Sequence, residues 1–346
     1  MAERITATLN RYRALPKVEL HRHLEGTLRL DTMNDIAQRH GIAVPTDVLD
    51  LSNLVQMQDR ENFSFQNFLA KFNTLRLFYR SPEAIQRITR EAIEDAAKDN
   101  VKYMELHFTP VALSRAERFS LHDVVEWVIS SAQSAAQEFG LSVKLIASVN
   151  RHESHELAEQ VARLAVEHKD HGVVGMDLAG NEADFKSEPF YGVFREAKQA
   201  GLHITIHAGE WGPAANVREA IEQLGAERIG HGVRVLEDSQ VTALAKERGT
   251  VFEVCVTSNY QSGVVPELDR HPLTKMMDEG LNVTINTDDP SISRITLSDE
   301  YHVVCDELGV SMENLKQRIL AAGQAAFLPE AERGQLVETL KKELKL

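Results

Sequence analysis

VVGMDLAGNEADFKSEPFYGVFREAKQAGLHITIHAGE, residues 173–210, holds two short apolar runs separated by an amphipathic stretch. The runs VVGMDLA and HITIHA are apolar through their bodies and carry polar residues at their C-terminal ends. Between them Ser187 and Pro189 suit a helix start and Gly201 suits its stop. Strand, crossover helix and strand form the βαβ unit of a parallel sheet, whose strands are covered on both faces and read as near-continuous apolar runs.

The same pattern extends in both directions. VEL before His21, VKYMELHF from Val101, VKLIASV from Val143, RIGHG from Arg228, TVFEVCV from Thr250 and NVTINT from Asn282 bring the strands to eight. Amphipathic stretches from Ser120 and Glu153 supply further crossover helices. Eight such units close an α/β barrel, so the sequence predicts a (β/α)8 TIM barrel followed by C-terminal helices, with residues 1–346 forming one domain. The connection from Gly26 to Asn100 is too long for a βα loop and predicts an extra helical insertion over about residues 27–100. Within it Phe65, Phe68 and Phe72 share one helix face, which reads either as helix core or as an apolar lid over the barrel mouth.

Composition narrows the function. The chain has 346 residues, 43% hydrophobic and 26% charged, enough for a large buried core. Its formal charge of −14 repels phosphate backbones and anionic lipid, which argues against nucleic acid or a membrane as partner. Neither a signal-like N-terminus nor an apolar run of about 18 residues is present, so a cytoplasmic protein is expected. Cys255 and Cys305 alone exclude a disulfide framework and a CxxC zinc site. Oligomeric state is not legible.

A barrel of this kind gathers its chemistry at the C-terminal ends of its strands. Those ends carry His21 and His23 in HRHLEG, Asp177 and Gly180 in MDLAGNE, His207 and Glu210 in HAGE, His231 in GHG, and Asp288 and Asp289 in NTDDP. His-x-His on a strand puts two imidazoles on one side, because side chains alternate with period two. With His207 and Asp288 from other strands, three neutral nitrogens and one carboxylate suit a single Zn²⁺ with a further position for water. A water so bound loses its proton near pH 7. His231 would make a fifth protein ligand, so it is assigned to orienting that nucleophile. The fourth strand has no lysine to bridge a second metal. Asp177 reads as a hydrogen-bonding carboxylate rather than a catalytic one. Glu210 sits in a Gly-flanked turn beyond its strand, where an enclosed carboxyl suits a general acid.

PKVELHRHLEG, DLAGNE, HAGE, IGHG, the SN of CVTSNY, and NTDDP together resemble the adenosine deaminases of the amidohydrolase superfamily, in order and spacing over nearly the whole chain. The resemblance implies zinc-dependent hydrolytic deamination of adenosine and 2′-deoxyadenosine to the 6-oxo product and ammonia. It implies that His21, His23, His207 and Asp288 bind one zinc, that Glu210 protonates purine N1, and that His231 assists the attacking water. Asp289 would contact N7 and the Gly180 amide N3. A small purine nucleoside is the implied partner.

Three positions depart from the family's pattern. Glu25 replaces the Asp that usually contacts the ribose, and Glu here is familiar from adenine deaminases; adenine or another 6-aminopurine is therefore the alternative substrate. His107, in ELHFTP, stands where many relatives have Arg, and Val256 replaces a Pro. A phosphoester hydrolase on the same barrel would need an Arg or Lys cluster among these motifs, which is lacking.

Overall fold

A computed structural model describes residues 9–346. Eight strands form one parallel sheet in chain order: Lys17–His23 (β1), Val101–Phe108 (β2), Ser142–Asn150 (β3), Val173–Ala179 (β4), His203–Ala208 (β5), Arg228–His231 (β6), Val251–Val254 (β7) and Asn282–Ile285 (β8). Each coincides with one of the eight apolar runs. The sheet closes on itself where the His23 N–H donates to the Asp288 carbonyl and the Asp288 N–H donates to that of His21, both at 2.9 Å. The fold is the (β/α)8 barrel that the alternation predicts.

The crossover helices begin where the capping chemistry says they should. Ser120 and Ser154 accept N–H bonds from Asp123 and Leu157, starting helices Leu121–Phe139 and His155–Glu167. Gly201, in the left-handed region at φ 98°, follows the Tyr191–Gln199 helix.

The connection between β1 and β2 folds as four helices, Leu30–His40, Val48–Val55, Phe65–Leu75 and Pro82–Lys98. Ser64 caps the third, and its Phe68 is buried in the core while also lining, with Leu69 and Phe72, a cavity at the barrel mouth. Core stripe and cavity wall are thus the same surface.

The opposite end of the barrel is stoppered by a buried ion network and the C-terminal helices. Arg228 on β6 pairs with Glu105 on β2 and Glu253 on β7, each at 2.5 Å, and donates to the Ala325 carbonyl at the end of the Met312–Ala325 helix. No helix among the described residues is long and apolar enough to cross a membrane.

Candidate active site

Strand register sets the first feature. His23 pairs with His107 across β1 and β2, and Gly230 pairs with His207 across β5 and β6. Because Gly230 has no side chain, the His21 and His207 rings can approach it; a Cβ there would stand 2.8 Å from His21 Cε1. Nε2 of His23 lies 3.2 Å from Nε2 of both His21 and His207, and Asp288 Oδ1 lies 3.3 and 3.5 Å from Nε2 of His23 and His21. The four ligand residues expected from sequence therefore converge, and all are buried.

Their outer contacts explain the convergence. Nδ1 of His21 faces Glu253 Oε2 at 2.7 Å, and Nδ1 of His207 faces Asp177 Oδ1 at 2.9 Å. Each carboxylate accepts a hydrogen bond from the ring Nδ1–H, which leaves the Nε2 lone pair bare and inward. Burial works against the Glu253 carboxylate, but Arg228 and His21 outweigh it and hold its pKa down at about 2. Bare lone pairs at 3.2 Å repel one another unless a cation sits between them. A tetrahedral zinc with bonds of about 2.0–2.1 Å spaces its ligand atoms about 3.3–3.4 Å apart, so the donor set fits that ion in spacing and in kind.

Asp177 also receives the Ser148 hydroxyl at 3.1 Å and faces His107 Nδ1 at 3.3 Å, which agrees with a hydrogen-bonding carboxylate. His107 is fully buried beneath this cluster with Nε2 on the Leu20 carbonyl, and burial lowers its pKa to about 4.

Two of the site's residues hold left-handed backbone conformations unusual for a side-chain-bearing residue: His231 at φ 61° and Asp288 at φ 62°. That turn aims His231 Nε2 at Glu210 Oε2 and Asp288 Oδ2, 3.7 and 3.9 Å away. Its other nitrogen is held by a relay. The Leu273 N–H donates to His271 Nδ1, so a neutral His271 donates from Nε2 to Asn259 Oδ1, and the Asn259 amide donates to His231 Nδ1 at 3.1 Å. Burial keeps His271 neutral, with its pKa near 3, and holds His231 well below its usual value.

Glu210 lies past β5 in a turn held by Glu182. The Glu182 carboxylate accepts the N–H groups of Gly209, Glu210 and Trp211 at 3.0, 2.6 and 2.8 Å, and the Asn216 amide at 2.8 Å. Burial, and after it the charges of Asp288 and Glu182, push the Glu210 pKa well above the carboxylate range. Both effects favour the protonated form of the Glu210 carboxyl, which faces the cavity.

Asp289 packs against Gly26, where any Cβ would collide with its carboxylate. Burial and then the neighbouring Asp288 raise its pKa well above the usual range, and its Oδ1 is buried without a partner. Glu25 Oε1 accepts a hydrogen bond from the Thr109 N–H at 2.6 Å, and its Oε2 is buried and unpaired.

A cavity joins these groups, lined by Glu25, Gly180, Glu210, Asp289, His231 and three of the proposed ligands, with Phe68, Leu69, Phe72 and Trp211 as apolar wall. Eight of the nine residues given roles from sequence thus line one space, and His21 joins them through its Nε2, 3.2 Å from that of His23. Sequence reasoning missed Glu253, Asn259 as a relay and His271. Glu182 stood inside a quoted motif without a role.

The sequence profile of adenosine deaminase matches residues 16–343. An adenosine deaminase of Vibrio parahaemolyticus is 35% identical over 328 residues, 94% of this chain and 98% of that protein. Among solved structures, an amidohydrolase of Burkholderia ambifaria with bound zinc is similar at TM-score 0.89 and 28% identity, covering 97% of this chain and 92% of the other. An adenine deaminase of Arthrobacter aurescens is similar at TM-score 0.88 and 28% identity, covering 96% and 100%. The barrel, the motif-bearing rim and the full-length match have one meaning: the chain belongs to the adenosine deaminase family of hydrolytic deaminases.

Proposed function

We propose that the enzyme hydrolyses the C6 amino group of adenosine and 2′-deoxyadenosine, taking up water and releasing ammonia and the 6-oxo nucleoside. His21, His23, His207 and Asp288 would hold one zinc. A zinc so bound supplies Lewis-acid activation of water.

The chain's own residues do the rest. Water adds at C6 and the ring loses aromaticity, so negative charge gathers at N1. Glu210, protonated and enclosed, gives its proton to N1 and regains one from the attacking water, and the remaining hydroxyl proton leaves with the amine as ammonia. His231, whose Nδ1 accepts from Asn259, carries its proton on Nε2 and orients the incoming oxygen as a hydrogen-bond donor. N7 and N3 are lone-pair acceptors and require donors. A protonated Asp289 serves N7, and the Gly180 N–H serves N3. Phe68, Phe72 and Trp211 cover the base and exclude bulk water.

One observation carries the nucleoside over the free base. At Gly180 the cavity adjoins a second, open pocket, lined by Phe65, Phe72, Asn150, Asn181 and others, and the two share Leu69, Phe72, Asn150 and Gly180. Gly180 marks the N3 edge in this pose, and N9, where a sugar is attached, adjoins it. A pocket for adenine alone needs no such continuation. The unpaired Oε2 of Glu25 then accepts a ribose hydroxyl. Ammonia release from adenosine, 2′-deoxyadenosine and adenine tests the reading; preference for adenine overturns it.

Glu25 also favours a second reading, because the same unpaired oxygen can accept the N9–H that free adenine has and adenosine lacks. An adenine deaminase stands among the similar structures.

A further inference from the structure

His122 and Glu126 stand four residues apart near the start of the Leu121–Phe139 helix, so both side chains project from one face. His168 follows the His155–Glu167 helix as its C-cap, with its N–H bonded to the Leu164 carbonyl at 3.1 Å. Packing of the two helices sets the three side chains against one another: one ligand atom from each lies within 4.8 Å of the others. None of them lines the catalytic cavity.

The spacing is that of ligands around a small cation. Glu126 Oε1 lies 3.4 Å from His168 Nε2, the separation of two ligand atoms on a tetrahedral zinc with bonds of about 2.0–2.1 Å. The His122 and His168 rings stand 6.1 Å apart, centre to centre. His168 is the fixed member, its side chain only 11% exposed, while Glu126 and His122, at 50% and 61%, are free to turn inward.

A plain ion pair accounts for Glu126 and one imidazole but not for the second. His122 is not held elsewhere by a carboxylate, since its Nδ1 is 3.6 Å from Asp123, too far for a hydrogen bond. Asp123 and Glu167 stand close by, opposed by Arg163, whose charge is shared with Glu159 at 3.9 Å, so the surroundings are net negative. Two imidazole nitrogens and a carboxylate suit a borderline divalent cation rather than magnesium or calcium, which take oxygen ligands.

We infer that His122, Glu126 and His168 form a second cation site, of the class that takes zinc, copper or nickel, with water completing the shell. The ion clasps the crossover helix between β2 and β3 to the one between β3 and β4. By binding the folded chain alone it stabilises it through mass action and takes no part in deamination. Three ligands, two of them exposed and ordered at a cost in side-chain entropy, make this site weaker than the four buried ligands of the barrel.

A neighbouring pair supplies the control. His155 and Glu159 are also four residues apart, at 3.6 Å, but no third ligand joins them among the described residues. The test is equilibrium dialysis of the zinc-loaded enzyme with added zinc chloride, comparing wild type with His122→Ala, Glu126→Gln, His168→Ala and His155→Ala. Wild type should take up one further zinc per chain at micromolar free zinc and lose it on dialysis against metal-free buffer, keeping the catalytic one. Added zinc should raise its unfolding temperature by a few degrees. Each of the three ligand variants should bind the second zinc about tenfold more weakly or worse and lose that rise, while His155→Ala behaves as wild type. His122→Ala and Glu126→Gln alter exposed side chains, so loss of zinc there is not loss of the fold. Without added zinc, turnover should be the same in all five proteins. No second zinc in wild type, a second zinc kept by the ligand variants, or equal loss in His155→Ala would overturn the site.

Discussion

The side-chain amide of Asn259 donates to Nδ1 of His231 at 3.1 Å, and that bond decides which nitrogen of His231 holds a proton. The assignment starts from a backbone N–H, that of Leu273, which can only donate. It follows that neutral His231 faces the reaction as a donor. Asn259→Ala should free the ring to adopt the other tautomer and cut kcat by about 10–100-fold, the usual cost of losing such a partner. Bound zinc should be unchanged. Full kcat in this variant would remove the relay from the mechanism.

The spacing of the four inward-facing ligand atoms fits one metal ion, and the fourth strand offers no bridging lysine. Elemental analysis of the purified protein should find one zinc per chain. Chelation should abolish turnover and zinc should restore it. His21→Ala and His207→Ala should each lose both metal and activity, since each removes a primary ligand and strands a buried carboxylate behind it. Two tightly held metals per chain would contradict the proposal.

Glu210 is useful only while protonated. Burial and adjacent carboxylates raise its pKa above the normal value, so the active form persists as pH rises through the ordinary carboxylate range and is lost above the raised value. Glu210→Gln keeps the shape but has no proton to give, and kcat should fall by at least about 10²-fold with zinc retained. Zinc loss in Glu210→Gln would instead make Glu210 a ligand.

The barrel was legible because its strands are buried on both faces and so appear as eight separate apolar runs, with catalytic residue types at their ends. His21, His23 and His207 were legible for the same reason: each ends a run. Their supports were not. Glu253 is 232 residues from the His21 ring that it orients and lies inside a run that reads as plain strand. His271 sits in a loop, and only the fold brings it to Asn259. The Phe65, Phe68 and Phe72 stripe announced a helix face, yet periodicity has no term for a face that meets core and cavity together.

Glu182 supports a local structure whose loss can be measured apart from chemistry. Its two oxygens accept three backbone N–H groups of the Gly209–Trp211 turn and one amide. Glu182→Gln keeps one acceptor oxygen and turns the other into a donor facing N–H groups. At least one buried N–H then goes unpaired, at a cost of about 1–3 kcal/mol. Thermal unfolding should shift down accordingly. Because the turn aims Glu210, kcat should fall more than KM rises. A lowered melting temperature with unchanged kcat would limit Glu182 to a stabilising role.

Glu25 is where substrate choice can be read most directly, because its two oxygens are already divided. Oε1 is committed to the Thr109 N–H at 2.6 Å, which fixes the carboxylate, and Oε2 remains for the substrate. If Oε2 accepts a ribose hydroxyl, adenosine should exceed adenine in kcat/KM by at least about 10²-fold, because without the sugar a buried acceptor stays unpaired. Glu25→Ala should then harm adenosine far more than adenine. Glu25→Asp is the sharper variant: shortened by one methylene, the carboxylate cannot keep the Thr109 N–H and reach the same substrate atom. It should retain the adenosine preference at a reduced kcat/KM. In an adenine-specific pocket Oε2 accepts N9–H instead, adenine is preferred by the wild type, and Glu25→Ala damages adenine most. Measuring both substrates on the three proteins separates the cases, since the sign of the wild-type preference and the substrate harmed by Glu25→Ala must change together.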